Sequence, residues 1–429
     1  MALPAFRAEH PGLQLEYDNM LACIRCGLCL TSCPTYVLSL HESEGPRGRV
    51  GMARALAEGH LTVSPDLVEH ELNCLVCDAC SAVCPAGVHM DPLQVGLRAA
   101  LEPSIRRSAT ERLVRAVVFG WLFLSMRRFR LFARLMWLYQ RSGVRWLART
   151  LGVLKLLRLQ AAEALLPTLP TRFVVPRNEV FPATSCESAA PVAFFAGCVM
   201  STALADVDRA TIRVLQRAGC EVRNPAAQGC CGALNAHGGD LRRALHLARQ
   251  NIAAFEPTDG PIVVNSAGCG AMLKEYAHHL RADPAWADRA AAFSARVKDL
   301  SEVLAPRPLP LAQPVAKRVV YQDACHLLHA QRVSKQPRDL LRRIPGVDLT
   351  EIEEAGLCCG SAGVYNVTNP VQSRQLQQRK LDHCLAASPE VIVTANPGCL
   401  LQLQSGLTER GSSVQVKHLA TILDEASAP

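Results

Sequence analysis

CIRCGLCLTSCP (23–34) and CLVCDACSAVCP (74–85) carry one cysteine spacing twice: Cys23, Cys26, Cys29 and Cys33 before Pro34, then Cys74, Cys77, Cys80 and Cys84 before Pro85. Three thiolates two residues apart wrap the corners of one iron–sulfur cubane, and the fourth, followed by proline, turns away toward a cubane farther off. The spacing therefore predicts two [4Fe–4S] clusters with crossed ligation. The first takes Cys23, Cys26, Cys29 and Cys84; the second takes Cys74, Cys77, Cys80 and Cys33. Tetrahedral zinc calls for no such pair of complete strings. The residues between the ligands, Ile24, Leu28, Leu75 and Val76, are apolar and are expected to shield the clusters in part from water.

The chain has 429 residues, 49% of them hydrophobic, enough for several cores and about two to four domains. Its 19 cysteines exceed what packing needs, so the compartment decides how they are read. The opening residues, with Arg7, Glu9 and Glu16 among prolines, form no charged-then-apolar leader. That predicts a cytoplasmic protein, peripheral at most on the inner face of the cell membrane. In a reducing compartment clustered cysteines hold metal rather than disulfides.

The forty residues between Cys33 and Cys74 make a longer spacer than a compact bacterial ferredoxin has. Within it Ser43-Glu44-Gly45-Pro46-Arg47 precedes an alanine-rich stretch, Val50 to Glu58, which reads as a proline-initiated helix ending at Gly59. The expected fold is thus multidomain α+β. Residues 1–100 form an α-helical double [4Fe–4S] ferredoxin domain, and 101–190 form a basic helical connector and proline-punctuated linker. Residues 191–305 and 306–429 form two tandem α/β cysteine-rich repeats.

The duplication is legible in matched strings. VAFFAGC (192–198), GCCG (229–232) and IVVNSAGC (262–269) return as RVVYQDAC (318–325), LCCG (357–360) and VIVTANPGC (391–399), with corresponding cysteines 127, 128 and 130 residues apart. Short apolar runs read as buried strands, Ala205 to Ala218 and Asp240 to Ala254 as helices, and Ile262 to Val264 as a further strand. Such alternation implies a parallel sheet whose ligand edge lies beyond the strand ends. Cys198, Cys230, Cys231 and Cys269, and likewise Cys325, Cys358, Cys359 and Cys399, are therefore brought to one rim in each repeat. These quartets are candidate third and fourth iron–sulfur centres, with zinc or reduced thiols as the alternatives. Cys186, Cys220 and Cys384 fall outside both patterns and read as packing residues. His326 beside Cys325 and His237 after Gly232 read as hydrogen-bonded neighbours.

The net charge of +8 is concentrated, since 13 Lys and Arg face one acid, Glu111, between Pro103 and Gln160. No recognition-helix or base-stacking motif accompanies this charge, so no nucleic-acid partner is expected. From Val117 to Trp137, Val118, Leu122, Phe129, Phe132 and Met136 recur at helical spacing, with Arg127, Arg134, Arg141 and Arg145 opposite. The apolar run Ala116 to Met126 is too short to span a bilayer. Trp121, Trp137 and Trp146 lie nearby, so residues 113–150 are expected to lie on a membrane surface or to dock a partner.

CGLCLTSCPTY (26–36), PRGR (46–49), YQRSG (139–143) and the two CCG repeats together resemble the iron–sulfur subunit of glycolate oxidase, a bacterial glycolate dehydrogenase. The similarity spans nearly the whole chain. More distantly, the repeats look like those of lactate-utilisation proteins, the anaerobic glycerol-3-phosphate dehydrogenase anchor subunit and heterodisulfide reductase. The resemblance implies an electron-transfer subunit. An FAD-containing partner would oxidise glycolate to glyoxylate, and this chain would pass the electrons toward a quinone-type acceptor. In one respect the chain departs from heterodisulfide reductase: Ser266 and Asn396 stand where its repeats have the leading cysteine of CxxC.

No GxGxxG follows a strand and no P-loop is present, so neither flavin nor nicotinamide is expected on this chain. Cubanes exchange single electrons and accept no hydride, which puts substrate oxidation on another subunit. Three other readings remain open: a lactate or glycerol-3-phosphate dehydrogenase subunit, a heterodisulfide or quinone reductase with catalysis at the CCG repeats, and a metal-stabilised interaction scaffold.

Overall fold

The computed structural model describes residues 11–152, 163, 167–184, 190–315 and 317–427. Cys186 and parts of the linker lie outside them. The N-terminal segment is helical, with helices Pro34–Ser39, Pro46–Ala57, Pro65–Leu72 and Met90–Leu101. Three of these begin on proline, whose fixed φ suits the first helical turn and whose missing N–H would have no partner there. Ser64 caps the third by accepting from the Leu67 amide. The expected proline-initiated helix is present from Pro46, and its Val50, Ala53 and Leu56 face Leu13, Met20, Leu93 and Leu97 in one small core.

Nine strands build two sheets among the described residues. The first holds β1 (Glu179–Phe181), β2 (Ala190–Phe195), β3 (Cys220–Asn224), β4 (Ile262–Val264) and β5 (Val297–Asp299), in the order β1-β3-β2-β4-β5. The second holds β6 (Lys317–Tyr321), β7 (Val347–Thr350), β8 (Val391–Thr394) and β9 (Gln415–His418), in the order β7-β6-β8-β9. All pairs are parallel except the edge strand β1, which runs antiparallel to β3. Apart from β1 the two topologies are identical, as a duplicated sequence requires. β4 and β8 are buried along their whole length, as expected of parallel strands covered by helices on both faces.

The repeats pack reciprocally. Helix Ala205–Arg217 of the first lies against Leu419–Ala426 of the second, and Leu300–Leu304 lies against Lys335–Arg342. One shared core joins them, with Val192, Phe194 and Val214 meeting Val319, Tyr321, Val391 and Leu419.

The connector departs from expectation. In place of one helix across 117–137 there are Ala109–Val117, a wide π-type turn Val118–Leu122, and Met126–Arg141, followed by Val144–Thr150. The break lets Phe123 and Met126 enter the core of the first repeat, with the Phe129 ring tilted by 46° against Phe123 at 4.9 Å. Asn235 holds the turn by donating to the Phe119 carbonyl at 3.2 Å. Three arginines of the cationic stripe are engaged: Arg134 covers Phe173, Arg141 covers Trp137, and Arg145 pairs with Glu163. Leu113, Trp121, Leu135, Leu138 and Trp146 are exposed instead. Among the described residues no helix is long and apolar enough to cross a membrane.

Candidate iron–sulfur and thiol sites

Both cysteine strings curl tightly. At matching positions they place Arg25 and Gly27, and Val76 and Asp78, in the left-handed region, with φ of 57°, 83°, 51° and 59°. Left-handed backbone is uncommon for residues other than glycine and marks loops held by their surroundings. One cavity is lined by Cys23, Cys26, Cys29 and Cys84, and another by Cys33, Cys74, Cys77 and Cys80. The fourth cysteine of each string thus stands with the first three of the other. Pro46 and Met90 border the second cavity and the space between the two. The Val76 and Val88 amides point at the Cys74 and Cys84 sulfurs at 3.4 Å, the N–H···S contacts that a thiolate site uses.

The two cavities differ in exposure. Leu75 and Val76 are buried, but Ile24 and Leu28 are 68% and 59% exposed, so the shielding expected of them is not there. The cause is packing. Leu75, Cys77 and Ala79 lie against Cys325, Cys358, Tyr365 and Leu376 of the second repeat, whereas the first string turns outward.

Two buried arginines back the second cavity. Arg49 donates to Glu44 Oε2 at 2.6 Å, to Thr35 Oγ1 at 3.0 Å and to the His70 carbonyl at 2.9 Å, with Cys33 Sγ 3.9 Å away. Arg98 donates to the Cys74 carbonyl at 2.6 Å and to the His237 carbonyl at 2.8 Å, tying the site to the first repeat. Reading ligand spacings alone passes over both residues, although Arg49 belongs to the PRGR string. Burial pushes the Cys74 thiol up and the Cys77 and Cys80 thiols well up, so they are neutral as free thiols. A set that becomes thiolate only against a bound cation fits an iron–sulfur core.

In each repeat the cysteines follow three adjacent strands. Cys198, Cys230-Cys231 and Cys269 come after β2, β3 and β4, and Cys325, Cys358-Cys359 and Cys399 after β6, β7 and β8. The chain reverses its winding direction between β2 and β4 and between β6 and β8, the crevice where open α/β sheets bind ligands. Each quartet is a chain of thiol contacts. Cys198 donates to Cys230 at 3.6 Å, and Cys231 bonds to Cys230 and Cys269. Cys359 and Cys399 share a hydrogen bond at 3.3 Å, and Cys358 hydrogen-bonds to Cys325 and Cys359. Hydrogen bonds from Cys198 and Cys231 pull Cys230 well down, and those from Cys358 and Cys399 do the same to Cys359. Gly232 and Gly360 make the turns at φ of 85° and 84°; a Cβ at Gly360 would stand 2.5 Å from the Ser373 carbonyl oxygen.

Ser266 and Asn396 begin the helices that carry Cys269 and Cys399. Asn396 Oδ1 accepts from the Gly268 amide of the other repeat at 3.1 Å, while its Nδ2 faces Cys399 Sγ at 3.6 Å. The residue at the absent cysteine's position thus joins the two quartets' loops. Cys220 and Cys384 are buried, consistent with packing. His237 and His326 stack on each other, with His326 Nδ1 3.6 Å from Cys325 Sγ.

Comparison with known proteins agrees with this layout. Residues 22–88 match the 4Fe-4S dicluster domain, 110–166 the linker region of the glycolate oxidase iron-sulfur subunit, and 192–274 and 319–404 the cysteine-rich domain. The probable glycolate oxidase iron-sulfur subunit of Bacillus subtilis is 41% identical, covering 96% of this chain and 95% of the relative. The glycolate oxidase iron-sulfur subunit of Escherichia coli is 33% identical over the same shares. Lactate utilization protein A of Oceanobacillus iheyensis is 32% identical, covering 54% of this chain and 96% of its own length. The coincidence of a dicluster domain, this linker and paired cysteine-rich repeats along one chain places it in the glycolate oxidase iron–sulfur subunit family.

Proposed function

We propose that this chain receives electrons from an FAD-containing partner that oxidises glycolate to glyoxylate and delivers them toward a quinone-type acceptor. Bound [4Fe–4S] clusters would supply one-electron carriers. In this reading Cys23, Cys26, Cys29 and Cys84 hold one cluster and Cys33, Cys74, Cys77 and Cys80 the other. Cys198, Cys230, Cys231 and Cys269, with Cys325, Cys358, Cys359 and Cys399, hold further centres. Arg49 and Arg98 place positive charge behind the second set, and Leu75 and Val76 exclude water from it. The division into 1–100, 101–190, 191–305 and 306–429 belongs to the same reading.

The observation that carries it is the buried contact of Cys77 with Cys325 and Cys358, which sets the dicluster segment directly against the second quartet. Anaerobic purification of the native complex, with flavin and iron analysis, tests it. A co-purifying FAD subunit and at least about eight iron atoms per copy of this chain are expected. A flavin-free complex, or about two irons or zinc alone, would contradict it.

The same reading seats residues 113–150 on the membrane surface, where a quinone resides. Support comes from exposed Leu135, Leu138 and Trp146 beside arginines. Leu135→Glu with Leu138→Glu should weaken binding to anionic lipid vesicles about tenfold or more. Unchanged binding would point to a protein partner.

A further inference from the structure

Three side chains with metal-ligand chemistry, from three separate parts of the chain, meet outside the cysteine sets: Asp91, His237 and His326. Asp91 lies in the first turn of Met90–Leu101, behind the cysteine strings. His237 ends helix Ala233–His237 of the first repeat, and His326 opens the wide turn His326–Ala330 of the second. One candidate ligand atom from each lies within 4.8 Å of the other two.

The geometry suits an ion better than a hydrogen-bond network. Asp91 Oδ1 and His237 Nε2 are 3.6 Å apart, too far for a good hydrogen bond. Two atoms each about 2.1 Å from one metal can be separated by up to about 4.2 Å. The two imidazole rings stack at 5.9 Å with their planes 17° apart. Because His326 Nδ1 faces Cys325, its free ligand atom is Nε2, which is buried and has no hydrogen-bond partner among the described residues. His279 Nε2 nearby is buried and unpartnered in the same way. Asp78 and Glu275 interact electrostatically with Asp91. Buried polar atoms are almost always satisfied, so the orphaned His326 Nε2, set beside the Asp91 carboxylate and the His237 imidazole, calls for a partner.

We propose that Asp91, His237 and His326 bind one divalent first-row transition-metal cation, of the zinc or iron(II) class that two imidazoles and one carboxylate favour. The ion clamps the dicluster segment to both repeats at once. Cys77 and Cys325 lie against each other close by, so the clamp fixes the separation of the two thiol sites.

The test uses the full chain with its clusters intact and oxidised, dialysed anaerobically against Zn²⁺, desalted and analysed for metals. Wild type should retain about one zinc per chain. His237→Gln and Asp91→Asn should each weaken zinc binding at least about a hundredfold while keeping the wild-type iron and sulfide. Equal retention in all three proteins, or none in wild type, overturns the proposal. Should a variant lose iron and so its fold, the Mn²⁺ spectrum of wild type decides, since cysteine ligands give no imidazole couplings. Mn²⁺ bound to the oxidised protein should show imidazole nitrogen couplings in pulsed EPR, and their absence overturns the proposal.

Discussion

At the scale of single residues, Arg49, Gly360 and His418 each carry a measurable consequence. Arg49 is 1% exposed and neutralises Glu44 beside Cys33. Arg49→Met leaves that carboxylate without its main partner and should cost about 3–5 kcal/mol by denaturant unfolding. It should also make the second cluster harder to reduce in a redox titration, because a nearby positive charge is lost. Gly360→Ala forces a Cβ into the Ser373 carbonyl at a left-handed position. The expected loss is about 2–4 kcal/mol, with disruption of the second quartet, measured by thermal unfolding and iron content. His418 is fully buried, which pulls its pKa from 6.5 to about 4, and its Nδ1 accepts from the Ala420 amide. The unfolded chain binds the proton more readily, so this contribution is complete above pH 6.5 and fades as pH falls toward 4. His418→Asn keeps a capping acceptor and should flatten the pH dependence of stability in that window by about 3 kcal/mol.

At the scale of elements, crossed ligation makes a prediction that local ligation does not. Cys84→Ser should abolish the same EPR signal as Cys26→Ser and spare the one that Cys74→Ser removes. If Cys84→Ser instead matched Cys74→Ser, the pairing of strings would be wrong. Much of this scale was legible beforehand. The strand Ile262–Val264 stands where its apolar run put it, and the helices at 205–217 and 241–255 shift from expectation only at their ends. The connector was not legible, because the 3.6-residue recurrence of Val118, Leu122 and Phe129 continues through a break that only tertiary packing rewards. Phe123 and Met126 reach the first repeat's core by breaking the helix, and no local propensity records that gain. Spacing also says nothing of which string faces solvent. Ile24 and Leu75 occupy the same place in matching strings, and only the second has a repeat packed over it.

At the scale of the whole molecule, the duplication explains why the thiol sites converge. Identical topologies bring two quartets to equivalent sheet edges, reciprocal helix packing turns those edges toward each other, and the dicluster segment sits against the second. The cysteine sets of this arrangement were readable from the sequence, since each thiol lies in a recognisable string. The contacts of Arg98 and Asn396 and the meeting of Asp91 with His237 and His326 were not, because these partners are distant in the chain and come together only after the domains dock. Electrons taken from glycolate by a partner subunit should arrive on this chain. The most direct measurement is freeze-quench EPR of the anaerobic native complex mixed with glycolate. Reduced [4Fe–4S] signals should appear as the flavin is reoxidised, and the Cys84→Ser complex should lack the first cluster's share. A flavin that is reduced by glycolate and stays so, while every cluster on this chain remains oxidised, would contradict the account.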